Sequence, residues 1–135
     1  ERQQWPVEWV QVQLAQANEL LSGSAATELP VVLVCDCNSP ADGSLTATYG
    51  NLIAAGFDDA WNVVFPGDPG LTCCHDEFLL EPVASFSARI DLVLFRGDFE
   101  VVGADLVGEN PADRTPSGLW PSDHAGVAAT LTFRK

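Results

Sequence analysis

Basic residues are scarce: the 135-residue chain has six lysines and arginines against 19 aspartates and glutamates, a formal charge of −13 at neutral pH. That balance removes the broad positive surface that draws proteins to phosphate backbones, so long-range steering of nucleic acid is not expected. Phosphate chemistry survives the exclusion, because carboxylates can hold a divalent cation that inverts the charge where a substrate sits. No apolar run approaches the roughly 18 residues of a membrane span, and no basic-then-apolar leader stands at the start. The chain reads as soluble. Four cysteines are too few for a disulfide scaffold. Buried free thiols are the default expectation for them, and disulfides joining the two pairs, Cys35 and Cys37 to Cys73 and Cys74, are the alternative in an oxidising compartment. The compartment stays open, secretion of a longer precursor included. Glu1 in place of an initiator methionine, followed almost at once by a helix pattern, points to a processed product or a fragment.

What is present begins with Val7, Val10, Leu14, Ala17 and Leu21, spaced by three and four, with Pro6 where a first helical turn tolerates it. This predicts an amphipathic helix ended by Gly23. Pro30 then opens Val31-Val-Leu-Val, the pattern of a buried strand. Asn38 to Gly43 is dense in turn formers, and Leu45 to Ala55 predicts a short helix closed by Gly56, with the aromatics of Phe57-Asp-Asp-Ala-Trp packed beneath it. Pro66 to Ser87 reads as a long irregular segment of the kind that lies near a working face. Ile90 to Phe95, Phe99 to Val107 and Gly126 to Phe133 read as strands. Helices that precede or connect strands make the class α/β, or α+β with helices against a sheet, in one domain over residues 1–135.

Three stretches place acids at strand ends. In Val31-Val-Leu-Val-Cys-Asp-Cys-Asn-Ser, period two sends Asp36 and Asn38 to one side and Cys35 and Cys37 to the other. In Ala88-Arg-Ile-Asp-Leu-Val, Asp91 stands among apolar neighbours and needs a partner, since an unpaired buried carboxylate is costly. Arg89 is one candidate, which would make a structural ion pair. His124, in Ser122-Asp-His-Ala-Gly-Val, is the other: an aspartate on one ring nitrogen would fix the tautomer and leave the second nitrogen to face developing negative charge.

These stretches resemble, in order, the Gly-Asp-Phe-Asn-Ser, Arg-Ile-Asp-Tyr-Ile and terminal Ser-Asp-His elements of the endonuclease/exonuclease/phosphatase superfamily, the DNase I-like fold. Tyr49 to Trp61, Leu71-Thr-Cys-Cys-His, Ala104 to Gly108 and Arg114 to Pro121 are similar to connecting segments of its bacterial members. The resemblance implies a four-layered sandwich that hydrolyses phosphoester bonds with Mg²⁺ or Mn²⁺. It implies Asp36 as the group that orients or deprotonates the attacking water, and Asn38 as its partner in positioning water and phosphate. Asp123 would be a metal-side carboxylate together with Asp36, His124 oriented by Asp91 would be the donor to a phosphate oxygen, and Arg89 would join Asn38 in binding substrate.

The superfamily domain is roughly twice this length, and its N-terminal half carries the principal metal-holding glutamate. The 135 residues therefore read as a C-terminal half, in want of its N-terminal half or a partner chain. Cys35 and Cys37 replace a glycine and an aromatic or aliphatic residue. The competing readings are a zinc module of Cys35, Cys37, Cys73, Cys74 and His75, disfavoured by spacings that do not suit chelation, and a non-catalytic binding module. His75 is expected at the surface.

Overall fold

A computed structural model describes residues 7–134, so the place of Pro6 in the first helical turn lies outside the described residues. Helix α1 (Val7–Ser22) leads to strand β1 (Val31–Asp36), helix α2 (Thr48–Ala54), the two-residue strand β2 (Asp58–Asp59) and helix α3 (Ala60–Val64). Strands β3 (Asp91–Arg96), β4 (Phe99–Val107) and β5 (Gly126–Phe133) complete the order, with a 3₁₀ turn at Pro111–Asp113. β3 is the centre of an antiparallel sheet ordered β1-β3-β2, and β4 and β5 form a second antiparallel sheet.

Alternation along β3 explains how the layers assemble. Leu92 and Leu94 face the helical side, where they join Ala25, Tyr49, Leu52 and Phe57, with Leu20, Leu21, Val31, Leu33 and Cys35 packed against them. Val93 and Phe95 face the other way, into a cluster with Ala60 and Phe99 that Val101, Val127, Ala129 and Leu131 of β4 and β5 cover. A strand buried on both faces must be apolar throughout, which is why Leu92-Val-Leu-Phe carries no polar residue. The described residues thus form three layers of the expected four: helices, sheet, sheet.

Local departures have physical causes. α2 begins at Thr48, not Leu45, because Ser39 ties the preceding segment to the end of β1: its hydroxyl accepts the Thr46 hydroxyl at 2.7 Å and the Tyr49 N–H at 3.0 Å. The first half of α1 is largely exposed, with Val7, Trp9 and Val12 at 72%, 62% and 57%, so the buried stripe is carried by its second half. α3, which no periodicity announces, starts where the Asp59 carboxylate accepts the N–H groups of Trp61 and Asn62. Gly70, at φ +53°, lies flat under the Trp61 ring, and a Cβ there would fall 2.3 Å from the indole.

The irregular segment is more ordered than its composition promises. Thr72 is fully buried, the Thr72 and Cys73 N–H groups both donate to the Ala88 carbonyl, and Cys73 forms isolated bridges to Ala88 and His124. The expected surface position of His75 is wrong: the ring is stacked on Trp120 and tilted against Phe86, both at 4.5 Å, and the residue is buried. Burial against two aromatic faces outweighs the polarity of an imidazole. Its Nδ1 lies 3.7 Å from Glu81, whose carboxyl is held below its ordinary range, first by the Asp76 N–H that donates to it.

Candidate active site

β1 and β3 pair so that Asp36 stands directly opposite Asp91. Exposure alternates from Val31 to Asn38, with Cys35 and Cys37 toward the helices and Asp36 and Asn38 away from them, the division that period two predicts. Two carboxylates facing each other across an antiparallel pair repel, and the arrangement calls for positive charge. Part of it is to hand. Asp91 Oδ2 lies 2.9 Å from His124 Nδ1, both side chains about one-fifth exposed at 19% and 22%. The aspartate fixes which ring nitrogen carries the proton and leaves Nε2 on the far side. Nε2 in turn lies 3.7 Å from the Cys74 sulfur.

Asn38 closes the turn beyond β1 with φ +45°, a left-handed conformation that asparagine tolerates better than most residues. Its N–H donates to Asp36 Oδ1 at 2.9 Å, which locks the carboxylate to the turn. From below, Gln13 of α1 donates to the carbonyls of Cys37 and Asn38 at 3.0 and 2.7 Å, while its own oxygen accepts the Thr48 hydroxyl. A groove of 530 Å³ opens here, with Gln13, Gln16, Asp36, Asn38 and Thr46 on its wall.

Thr72 performs the corresponding service for the dyad. Its hydroxyl accepts the N–H groups of Ile90 and Asp91 at 3.2 and 3.3 Å, and its carbonyl accepts the Ala125 N–H at 2.8 Å. One buried threonine therefore joins the segment that carries Asp91 to the one that carries His124. Neither Gln13 nor Thr72 was singled out by sequence reasoning. Thr72 had one signal, its place in the irregular segment beside Cys73-Cys74, and Gln13 had none.

Arg89 does not partner Asp91, and its place is a correction to the substrate-binding expectation. It is 5% exposed, its Nη1 donates to Asp59 Oδ2 at 2.6 Å, and its other nitrogens donate to Asn62 and the Pro69 carbonyl. With its donors so engaged, the guanidinium braces the protein interior. The Tyr49 hydroxyl donates to the same Asp59 oxygen at 2.9 Å, and burial, reinforced by the Asp59 charge, pushes the phenol up to about 12. Asp123 is exposed beside the dyad; its carboxylate accepts the Ser122 hydroxyl at 3.3 Å and its carbonyl accepts the His75 N–H.

Two groups of three metal-competent side chains have their ligand atoms within 4.8 Å of one another among the described residues: Asp36, Asp91 and His124, and Cys73, Cys74 and His124. Asp123 belongs to neither. The first group is rich in carboxylate oxygen, the donor that suits Mg²⁺ or Mn²⁺. A zinc module joining both cysteine pairs is not formed, because sulfurs come together within each pair instead: Cys35 is joined to Cys37 and Cys73 to Cys74. This also corrects the expectation of free thiols; both pairs sit close enough in the chain for their sulfurs to meet.

No family model matches the sequence, and no curated protein is a significant match. Solved structures are similar. A conserved protein of unknown function from Enterococcus faecalis superposes with a TM-score of 0.63 at 20% identity, over 93% of this chain and 46% of the other. An endonuclease/exonuclease/phosphatase protein from Beutenbergia cavernae gives 0.62 at 23% identity, over 92% and 31%. A mannosyl-6-phosphatase from Bacteroides thetaiotaomicron gives 0.56 at 20%, over 89% and 43%. The chain therefore has the DNase I-like fold of these structures and spans less than half of their length. Among the described residues no helix is long and apolar enough to cross a membrane.

Proposed function

We propose that these residues are the C-terminal part of a metal-dependent phosphoesterase domain, one that hydrolyses its substrate by in-line attack of water. The observation that carries this reading is the Asp91–His124 contact of 2.9 Å set directly beside Asp36 on the neighbouring strand. Asp91 holds the Nδ1 proton, so that Nε2 of a protonated His124 donates to a non-bridging phosphate oxygen as charge gathers there. Asp36, anchored through Oδ1 by the Asn38 N–H, keeps its second oxygen for orienting the water and accepting its proton. The Asn38 amide, held over the same groove, donates to the phosphate and fixes the angle of attack.

Mg²⁺ or Mn²⁺ would be held by Asp36 with Asp91 at its side, by further carboxylates from outside these residues, and by Asp123, an exposed acid next to His124 in the chain. Such a cation, when bound, lowers the charge on the phosphate and the pKa of bound water. The net charge of −13 favours small phosphoesters over nonspecific nucleic acid, whose backbone needs lysine and arginine contacts.

The test is hydrolysis of bis-p-nitrophenyl phosphate and of p-nitrophenyl phosphate with Mg²⁺ or Mn²⁺, by this chain and by the chain lengthened upstream in its gene. Turnover should belong to the lengthened protein and fall about 10²–10³-fold in His124→Ala. Turnover unaffected by His124→Ala would overturn the reading. A second reading, a non-catalytic binding module that has kept the fold, is favoured by the exposed apolar face of β1, where Val32 and Val34 are 45% and 69% exposed. A lengthened protein inactive on both esters with every metal would move that reading forward.

A further inference from the structure

The Cys73–Cys74 pair has no part in the hydrolysis described above, yet Cys74 is exposed beside His124. Its sulfur lies 3.7 Å from His124 Nε2, the atom that must face the phosphate. Cys73, Cys74 and His124 form the second group whose ligand atoms are all within 4.8 Å. In a tetrahedral zinc site, bond lengths of about 2.3 Å to sulfur and about 2.0 Å to nitrogen put sulfur and nitrogen about 3.6 Å apart. The observed Cys74–His124 separation is close to that value, and the two sulfurs, joined in this structure, would part to about 3.8 Å on binding. Asp91 on Nδ1 supplies the remaining element, the carboxylate behind the histidine that orients the ring of a zinc ligand and makes it a stronger donor.

We propose that Cys73, Cys74 and His124 form a site for a thiophilic divalent cation of the zinc class, open when the two cysteines are reduced and closed when they are joined. Opening the pair takes two electrons and two protons: the S–S bond breaks and two thiols form, as two thiols give up both and become a disulfide, or as a phosphine gives the electrons and water gives the two protons and the oxygen of the phosphine oxide. The cation then displaces both thiol protons, and the Nε2 proton where the ring carries one, and accepts the lone pair of Nε2. Two sulfurs and one nitrogen leave a fourth position for water. Because Nε2 cannot hold a cation and donate to phosphate at once, the occupied site blocks hydrolysis. That consequence rests on the phosphoesterase reading; the binding itself does not.

The experiment uses the full-length gene product, reduced with a phosphine or oxidised with diamide, and titrated with Co²⁺ as a coloured stand-in for Zn²⁺ in excess Mg²⁺. The reduced protein should develop thiolate-to-cobalt charge-transfer absorption at one cobalt per chain, and Zn²⁺ should bleach it. The oxidised protein, identical in sequence, should show none. His124→Ala should weaken cobalt binding by at least ~10-fold, and Asp91→Asn by about 10-fold. Absence of charge-transfer absorption in the reduced wild-type protein, or equal cobalt spectra in the two redox states, would overturn the site. If the site binds as described and the protein hydrolyses neither ester, the site stands and the phosphoesterase reading fails. If turnover is present, Zn²⁺ should suppress it in the reduced form at least ~10-fold more than in the oxidised form.

Discussion

β1 and β3 lie side by side in one sheet, paired residue for residue from Val31–Arg96 to Asp36–Asp91, yet they live in different surroundings. Leu92 to Phe95 of β3 are buried in succession, while β1 alternates between half-buried and exposed. Both strands rest one face on α1 and α2; among the described residues, β5 and α3 cover the other face of β3 and leave that of β1 exposed. The difference places the candidate site at the border between a finished interior and an unfinished one. Asp91 and His124 belong to the finished side, where Thr72 fixes them. Asp36 belongs to the unfinished side, on a strand whose Val32 and Val34 are exposed among the described residues. In the solved structures this chain resembles, more than half of the length lies outside the matched part, which is where cover for β1 would come from if these residues are one part of such a domain.

The strongest way to break this comparison is to remove the brace of the finished side. Arg89→Ala strands the Asp59 carboxylate, only 4% exposed, without its cation, and at the same time releases Asn62 and the Pro69 carbonyl. Loss of one partner from a buried pair costs about 3–5 kcal/mol. Urea unfolding should show a loss of that size, and Arg89→Lys should recover only part of it, because an ammonium cannot serve three acceptors in the guanidinium's fork. A loss below about 1 kcal/mol would mean that water reaches Asp59 and that this edge of β3 is not closed.

Next comes the contrast between the strands themselves. Leu94, fully buried, and Val34, 69% exposed, belong to neighbouring strands. Leu94→Ala should cost about 2–5 kcal/mol, whereas Val34→Ala should stay within about 0.5 kcal/mol of the parent. In the chain lengthened upstream, Val34→Ala should become measurably destabilising if the added residues cover β1. Equal costs at both sites in the 135-residue chain would show that β1 is already covered, by a second copy for example.

Much of this was legible in the sequence, for reasons the same comparison explains. Inside a strand the period of two is rigid, so Asp36, Asn38 and their sulfur-bearing neighbours could be assigned to faces from spacing alone, and Asp91 was located by its apolar flanks. The inference failed just outside the strand. Arg89 precedes β3, in a stretch shaped by bonds to Thr72 and Ala41, so it does not share the Asp91 face as simple alternation would have it. His75 failed for another reason: its burial depends on Phe86 and on Trp120, distant in the chain, and no local pattern reports such a contact. The exposure of β1 was not read from the sequence either: Val31-Val-Leu-Val has the pattern of a buried strand, yet Val32 and Val34 are exposed.

The pH dependence is the sharpest reporter, because the chain has a single tyrosine. Tyr49 sits on the helical face of β3, where its hydroxyl donates to Asp59 on the strand paired with Leu94. Burial, followed by the charge of Asp59, raises its pKa to about 12, against about 10 in an unfolded chain. Between those values the folded protein keeps a proton that the unfolded chain has released, so this tyrosine's contribution to stability is complete below about pH 10 and is lost as pH rises toward 12. The loss should be on the order of 2 kcal/mol over that window. Phenolate absorbance should therefore titrate near 12 in buffer and near 10 in urea. Arg89→Ala should push the folded midpoint higher still, since the guanidinium opposes the shift. A folded midpoint at about 10 would show the Tyr49 hydroxyl in water, and the contrast between a closed β3 and an open β1 would have to be withdrawn at its closed end.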